Sequence, residues 1–435
     1  MSATPTKSRA ELFRYRELVV GDRTLLARYE LDGRSFVESI AFDGVETLSA
    51  PGVVSLAHLW YLLAGLSYYK VGAARVVDLG STPLGANGRA LMVSALREGL
   101  GEFAYRNDLH LDDVVLTGGG DVAAQTISVD ASRVLVPFGG GIDSVVTTTE
   151  LATDLESSLF VVSPSSGSFS PLEATAAVTG LPVVRATRTL DPQILRPDNT
   201  FFRGHVPVTA MVTLLAAIAA AASGRGGVVM SNEHSASVGN LHWRGIEINH
   251  QWSKSLDAER LLGAAVAERV GPQMCVASFL RDRSEVWVAQ RFSALDDYHD
   301  VFRSCNRAFA QSNSQRLDNW CGECDKCLFI NLMLAPFLPR ERLRAIFGHE
   351  PLSDPRRLAQ LGVLVGAHST EHHKPFECVG DPGESAAALA RVSELDEWAD
   401  VEFVQQLSRE IQPPLSFHDL LAPLGPSRVP AHWLR

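Results

Sequence analysis

Two stretches of this chain put reactive side chains at spacings that suggest chemistry. The first is Gly139-Gly140-Gly141-Ile142-Asp143-Ser144. Three glycines let a backbone turn sharply, so that consecutive N–H groups can converge on an anion. A helix starting there would add its positive end. Asp143 then supplies a carboxylate for a metal, and Ser144 a hydroxyl donor. The second is Cys321-Gly-Glu-Cys324-Asp-Lys-Cys327 with Cys305 upstream. Four thiolates suit a closed tetrahedral zinc site, while reduced unliganded thiols and an iron–sulfur cluster are the alternatives. Cys275 and Cys378 stand apart and read as ordinary thiols.

The elements around the glycines agree with a nucleotide-phosphate site. Arg133-Val-Leu-Val-Pro-Phe138 is apolar and β-branched enough for a buried parallel strand, and Val145 to Thr153 can continue as a helix. The lysine of a Walker loop is missing. The loop instead resembles the PP-loop of ATP pyrophosphatases, Ser-Gly-Gly-x-Asp-Ser, with Gly139 standing where serine is usual. A plain glycine turn with Asp143 as helix N-cap is the bland alternative.

From Arg133 onward, strands and helices alternate: strands at Ser158–Val162, Pro182–Thr187 and Gly226–Met230, and helices at Pro171–Thr179 and Val206–Ala222. Such βαβ units imply a parallel sheet. The PP-loop resemblance implies that the fourth strand lies beside the first, opposite the second. Residues 1–125 read as an α+β domain, with antiparallel strands at Glu17–Val20, Thr24–Glu30 and Ser35–Ile40 and helices at Val53–Tyr69 and Gly88–Asn107. A glycine turn near Gly118 precedes a strand over Val122–Asp130. The expected organisation is therefore α/β: an N-terminal α+β domain (1–125), a nucleotide-binding domain with a central parallel sheet (126–300), a four-cysteine segment (301–330) and a mainly helical C-terminal region (331–435). In that last region helices are expected at Phe329–Pro336, Arg340–Phe347, Pro355–Leu361 and along Ala386–Ile411.

Strand four empties into Ser231-Asn232-Glu233-His234, followed by His242-Trp-Arg244 and Asn249-His250-Gln-Trp-Ser-Lys254. So many hydrogen-bonding and proton-transfer groups at the carboxyl end of a strand, beside a phosphate loop, suggest a substrate wall. Each group taken singly also has a structural explanation.

Taken together, the glycine loop, this stretch, Cys321–Phe329, Phe42-Asp-Gly44 and Ser55-Leu-Ala-His-Leu-Trp60 resemble the UDP-N-acetylmuramoyl-L-alanyl-L-glutamate epimerase family of bacterial peptidoglycan synthesis. The resemblance implies ATP- and Mg²⁺-dependent inversion of a terminal L-glutamate on a UDP-linked muramoyl dipeptide, in partnership with a ligase that first adds that residue. It implies an acyl-adenylate, with AMP and pyrophosphate released. Within it, Gly139, Gly140, Gly141, Asp143, Ser144 and Ser163 would hold ATP, with Asp143 also the Mg²⁺ ligand. His234 and His250 would transfer protons, with Glu233 and Lys254 in reserve. Asn232, Arg203, Arg244 and again Lys254 would face the substrate. The rivals are a deazaguanine nitrile synthase-like or tRNA-modifying PP-loop enzyme, and a non-catalytic adenine-nucleotide sensor.

Composition sets the outer limits. A chain of 435 residues can bury a large core. A formal charge of −11 argues against general nucleic-acid binding. Met1 to Lys7 lacks the apolar core of a signal peptide. Val206–Ala222 is too short and alanine-rich for a comfortable membrane span and reads as a buried helix. A cytoplasmic enzyme without membrane insertion is expected.

Overall fold

The computed structural model describes residues 7–196, 198–308, 316–317, 319–368 and 374–434. Twelve strands lie among them: β1 (Leu12–Val20), β2 (Thr24–Leu31), β3 (Arg34–Asp43), β4 (Val76–Asp78), β5 (Val115–Thr117), β6 (Asp130–Pro137), β7 (Glu156–Pro164), β8 (Val183–Thr189), β9 (Arg225–Met230), β10 (Leu241–Trp243), β11 (Ile246–Ile248) and β12 (Cys275–Ser278). All but β10 and β11 form one ten-stranded sheet in the order β12-β9-β6-β7-β8-β3-β2-β1-β4-β5. The architecture is α/β with a large, mostly parallel sheet. Strands β12, β9, β6, β7 and β8 pair parallel. β9 lies beside β6 on the side opposite β7, as expected for the fourth strand.

The sheet divides the interior into two cores. Leu135 packs into one, while its neighbours Val134 and Val136 pack into the other, and Val228 and Val229 are likewise split. A strand's side chains alternate between faces. The central strands are apolar on both, which is why they read as continuous hydrophobic runs. The helix Val208–Ala222 lies buried on the first face against the helix Pro51–Ala64. No helix among the described residues is long and apolar enough to cross a membrane.

The N-terminal meander joins the same sheet. β3 runs antiparallel to β8 and covers what would otherwise be an open edge. The buried Glu38 carboxylate accepts from Arg188 Nε at 2.7 Å across that junction.

Several elements depart from the sequence expectation. Residues 122–129 form no strand; Asp130 opens β6 instead. The expected helix over Gly88–Asn107 is three pieces, Ala86–Ser94, a π-turn at Ala95–Gly99, and Gly101–Asn107. Ala386–Ile411 splits into Pro382–Ser393 and Glu402–Glu410. The four-residue β12 and the helices Leu256–Val270 and Glu285–Ser293 were not anticipated. Four residues are too few for a periodic pattern to declare itself.

Candidate active site

β6 ends at Pro137, the glycines follow, and the helix Ile142–Glu150 starts with Gly141 as its N-cap. Gly140 has φ of +73°, a left-handed conformation that a side chain would strain. A Cβ there would also lie 3.2 Å from the Leu172 Cα. At Gly139 a Cβ would meet nothing within 4 Å, so the serine usual in related loops would fit. The Ser144 hydroxyl donates to the Gly141 carbonyl at 3.1 Å.

The loop opens into a cavity of about 460 Å³. Gly139, Gly141, Asp143 and Ser144 line its floor, and Phe160, Val162, Phe169, Leu172, Val208 and Val212 give it an apolar side. Asn232 and Lys254 form the wall supplied by the chain after β9. Lys326, Arg303, Ser304 and Cys378 come from the C-terminal part. One cavity therefore joins a glycine cradle, an apolar slot and several ionisable groups.

Its electrostatics follow from burial. Asp143 is pushed up to about 6, first by desolvation and then by the Glu233 carboxylate, with Lys326 and Lys254 pulling the other way. Its Oδ1 atom is buried with no hydrogen-bond partner among the described residues, and the same holds for Glu285 Oε2. An orphaned carboxylate oxygen beside a glycine loop could hold a hard cation such as Mg²⁺. Burial would lower the Lys254 ammonium, but Cys378, Glu233 and Asp143 outweigh it and raise it, so it stays charged.

The wall after β9 is pinned from beneath by Arg281. This buried guanidinium donates to the Glu233 carbonyl at 3.1 Å and the Lys254 carbonyl at 2.7 Å, and is paired with Glu259 at 3.0 Å. A second set of bonds brings in residues 374–379. Asn240 Nδ2 donates to the Pro375 carbonyl at 2.6 Å, Gln251 Nε2 to the Val379 carbonyl at 2.9 Å, and the His250 amide to Asn240 Oδ1 at 2.7 Å. Cys378 is thereby carried to the cavity. Its thiol would rise on burial, but Lys254 first, and then the His250 ring, bring it down to about 6. His250 in turn donates from Nδ1 to Glu102 Oε2 and packs against His205 with ring centroids 4.3 Å apart and the rings tilted by 44°.

The remaining sequence candidates fall elsewhere. Glu233 is buried just behind the wall. His234 is absent from the cavity lining; it borders a separate hollow with Ser255 and Arg281, its imidazole lowered by burial and then by Arg281. Phe160 and Val162 of β7 line the cavity, whereas Ser163 does not. Arg203 is exposed and donates to the Ile194 carbonyl at 2.6 Å. Arg244 sits at the turn of the β10–β11 hairpin, where it and Gly245 both have positive φ, and pairs with Asp108 at 2.7 Å. Neither arginine reaches the cavity. Sequence reasoning missed Cys378, Lys326, His205 and Glu102. Lys326 was visible between two cysteines, but the other three come from segments with no local signature.

The four cysteines converge, their sulfurs all within 4.8 Å of one another. Cys321 and Cys327 lie 3.6 Å apart, and Cys324 and Cys327 3.5 Å. A tetrahedral zinc with sulfurs at ~2.3 Å would hold them about 3.8 Å apart, so the donor set fits that ion. Hydrogen bonds from the Cys324 and Cys327 thiols drive the Cys305 thiol far below its ordinary range.

Comparison with known proteins accounts for nearly all of the chain. The family model of the MurL N-terminal domain matches residues 4–279, and that of the MurL C-terminal domain residues 301–419. A Micromonospora sp. protein named UDP-N-acetyl-alpha-D-muramoyl-L-alanyl-L-glutamate epimerase is 39% identical over 381 residues, covering 86% of this chain and 83% of the relative. Proteins of the same name from Salinispora tropica and Xanthomonas oryzae pv. oryzae are 40% and 36% identical, covering 80% and 95% of this chain and 75% and 93% of their own lengths. No solved structure matches.

Two outcomes follow from this geometry. Gly140→Ala should cost about 1–3 kcal/mol in denaturant unfolding, since left-handed strain and the Leu172 contact act together, whereas Gly139→Ser should unfold within about 0.5 kcal/mol of wild type. Arg281→Ala should cost about 3–5 kcal/mol in denaturant unfolding by leaving the buried Glu259 with only its 3.8 Å contact to Arg428, and an Arg281→Met, Glu259→Leu double variant should recover part of that loss.

Proposed function

The chain belongs to the MurL family, and from that premise we propose that it inverts the terminal L-glutamate of UDP-N-acetylmuramoyl-L-alanyl-L-glutamate at the expense of ATP. The observation that carries this reading is the single cavity in which the glycine cradle and Asp143 face Lys254, Asn232 and Cys378. In this reading the β6 end, the glycine loop and the order β9-β6-β7-β8 constitute a PP-loop-type nucleotide domain.

An α-proton beside a free carboxylate is scarcely acidic, because its removal places a second negative charge on an anion. The nucleotide removes that obstacle. The loop amides and the positive end of the helix Ile142–Glu150 hold the β,γ-pyrophosphate, leaving the α-phosphorus open to the glutamate carboxylate. Attack there releases pyrophosphate and converts the carboxylate into an acyl-adenylate, whose remaining charge sits on the phosphate and no longer on the acyl group. Its α-carbon now lies next to an electron-withdrawing acyl group, so a base can take the proton and an acid can return one on the opposite face. Hydrolysis then frees AMP and the D-glutamyl product.

The chain's own groups divide this work. The Lys254 ammonium meets the developing charge, and Asn232, fixed by its 2.9 Å donation to Ser278 Oγ, orients the acyl group. Phe160, Val162 and Phe169 form the apolar slot for adenine. Mg²⁺ would offset charge on the phosphates, with Asp143 Oδ1 as its protein ligand. Zinc would hold Cys305, Cys321, Cys324 and Cys327 as a structural knot. In this reading a ligase that adds L-glutamate supplies the substrate, and both steps run in the cytoplasm.

Incubation with ATP, Mg²⁺ and the L,L-substrate in deuterated water should yield α-deuterated D-glutamate together with AMP and pyrophosphate. Accumulation of ADP, or D-glutamate carrying no deuterium, would refute the reading. Asp143→Asn should abolish AMP release. Metal analysis should find one equivalent of zinc, lost in Cys324→Ser together with several degrees of thermal stability.

A further inference from the structure

Cys378 and the bonded pair of His250 and Glu102 lie together beside the cavity. Cys378 lines the cavity onto which the glycine loop opens. The His250 ring is near enough to the thiol to favour its ionised form. Behind the ring, Glu102 accepts from Nδ1, and Arg106 anchors that carboxylate. A nucleophile or base backed by an imidazole, itself oriented by a buried carboxylate, is an arrangement that activates a side chain for proton or acyl transfer. The residues come from three distant segments, and the bonds of Asn240 and Gln251 to residues 375 and 379 fix the third against the second.

From this geometry we infer that Cys378 is the catalytic base that removes the α-proton of the activated glutamyl residue, with His250 and Glu102 as its positioning residues. The inference rests on the epimerase reading above and assigns the proton-transfer step to a residue that reading left open. The sulfur of the thiolate forms a bond to the α-proton, the Cα–H bond breaks, and its electron pair passes into the enolate oxygen. Water on the opposite face returns a proton to Cα. The hydroxide that remains takes the proton from the Cys378 thiol, restoring thiolate and water.

The charges around the sulfur suit this cycle. The groups that act on it are His250 and Lys254 from the wall after β9, Lys326 from the helix Asp325–Leu334, Asp143 from the glycine loop, and Lys374 and Glu377 from its own segment. Three of these cations, with His250, favour the thiolate over the thiol. His250 is raised to about 9 because its hydrogen bonds to Cys378 and Glu102 outweigh burial, so at neutral pH it is an imidazolium. His205, lowered to about 3 chiefly by burial and then by His250, stays neutral and packs against that ring.

The test compares two readouts on full-length protein. Cys378→Ser should lose α-deuterium incorporation by about 100-fold or more, while exchange of labelled pyrophosphate into ATP in the presence of the L,L-substrate stays within about threefold. Deuterium incorporation near the wild-type rate would overturn the assignment, and so would an equal loss of both readouts. A substrate adduct on Cys378 found by mass spectrometry would overturn it too, since the sulfur would then be a nucleophile. Absence of pyrophosphate exchange in the wild type would instead sink the adenylation reading. A further measurement does not require turnover: iodoacetamide should alkylate Cys378, mapped by peptide mass spectrometry, with a midpoint near pH 6, and His250→Gln should move that midpoint upward. An ordinary thiol midpoint in the wild type would overturn the proposal. So would a divalent ion, beyond that of the cysteine cluster, that is lost in His205→Ala.

Discussion

The buried pair of Arg281 and Glu259 is the constraint on which the site depends. Exposed loops rarely hold a fixed shape, because their amides and carbonyls have water as an alternative partner. Here a guanidinium that is 1% exposed takes two carbonyls, those of Glu233 and Lys254, on the two limbs of the loop after β9. Its charge is matched by Glu259 on the next helix, so the loop is bound to the scaffold by an interaction that water cannot easily replace. Desolvating such a pair is costly and contributes little net stability. Its role here is positional, since it fixes the Lys254 side of the wall across the cavity from the glycine loop.

The cavity is assembled from two parts of the chain that the sheet alone would not bring together. The parallel strands supply the cradle and the apolar slot at their carboxyl ends, where open α/β sheets commonly bind ligands. The C-terminal part supplies Lys326 and Cys378, carried in on the cysteine knot and on the segment held by Asn240 and Gln251. The helices beyond residue 325 pack on the second face of the sheet through the core that contains Val134, Val136 and Val229. A region without chemistry in its composition thus acts as a platform for ionisable groups.

What was legible in the sequence followed from local physics. Gly139 to Ser144 declared a strand–loop–helix turn because glycines, a carboxylate and a flanking apolar run occur within a dozen residues. Cys321, Cys324 and Cys327 declared a thiol cluster by spacing. The strand order also followed, from the resemblance of that loop. What could not be read were meetings between distant segments. Cys378 carries no neighbouring motif, and nothing near Glu102 or His205 announces that they converge on His250. His234 looked as apt as His250 on the chain, but the turn that begins at His234 directs it into a different hollow. β12 was missed because it is short, although it completes the edge beside β9.

The order of these parts along the chain has a consequence for the protein during its synthesis. Ser144 emerges from the ribosome about 230 residues before Cys378, an interval on the order of ten seconds or more at ordinary elongation rates. Throughout it, a growing polypeptide can hold the glycine loop while lacking Cys378 and the other C-terminal residues that line the same cavity. The cavity is therefore open on its C-terminal side until the helices beyond residue 325 have docked, and its walls are completed last.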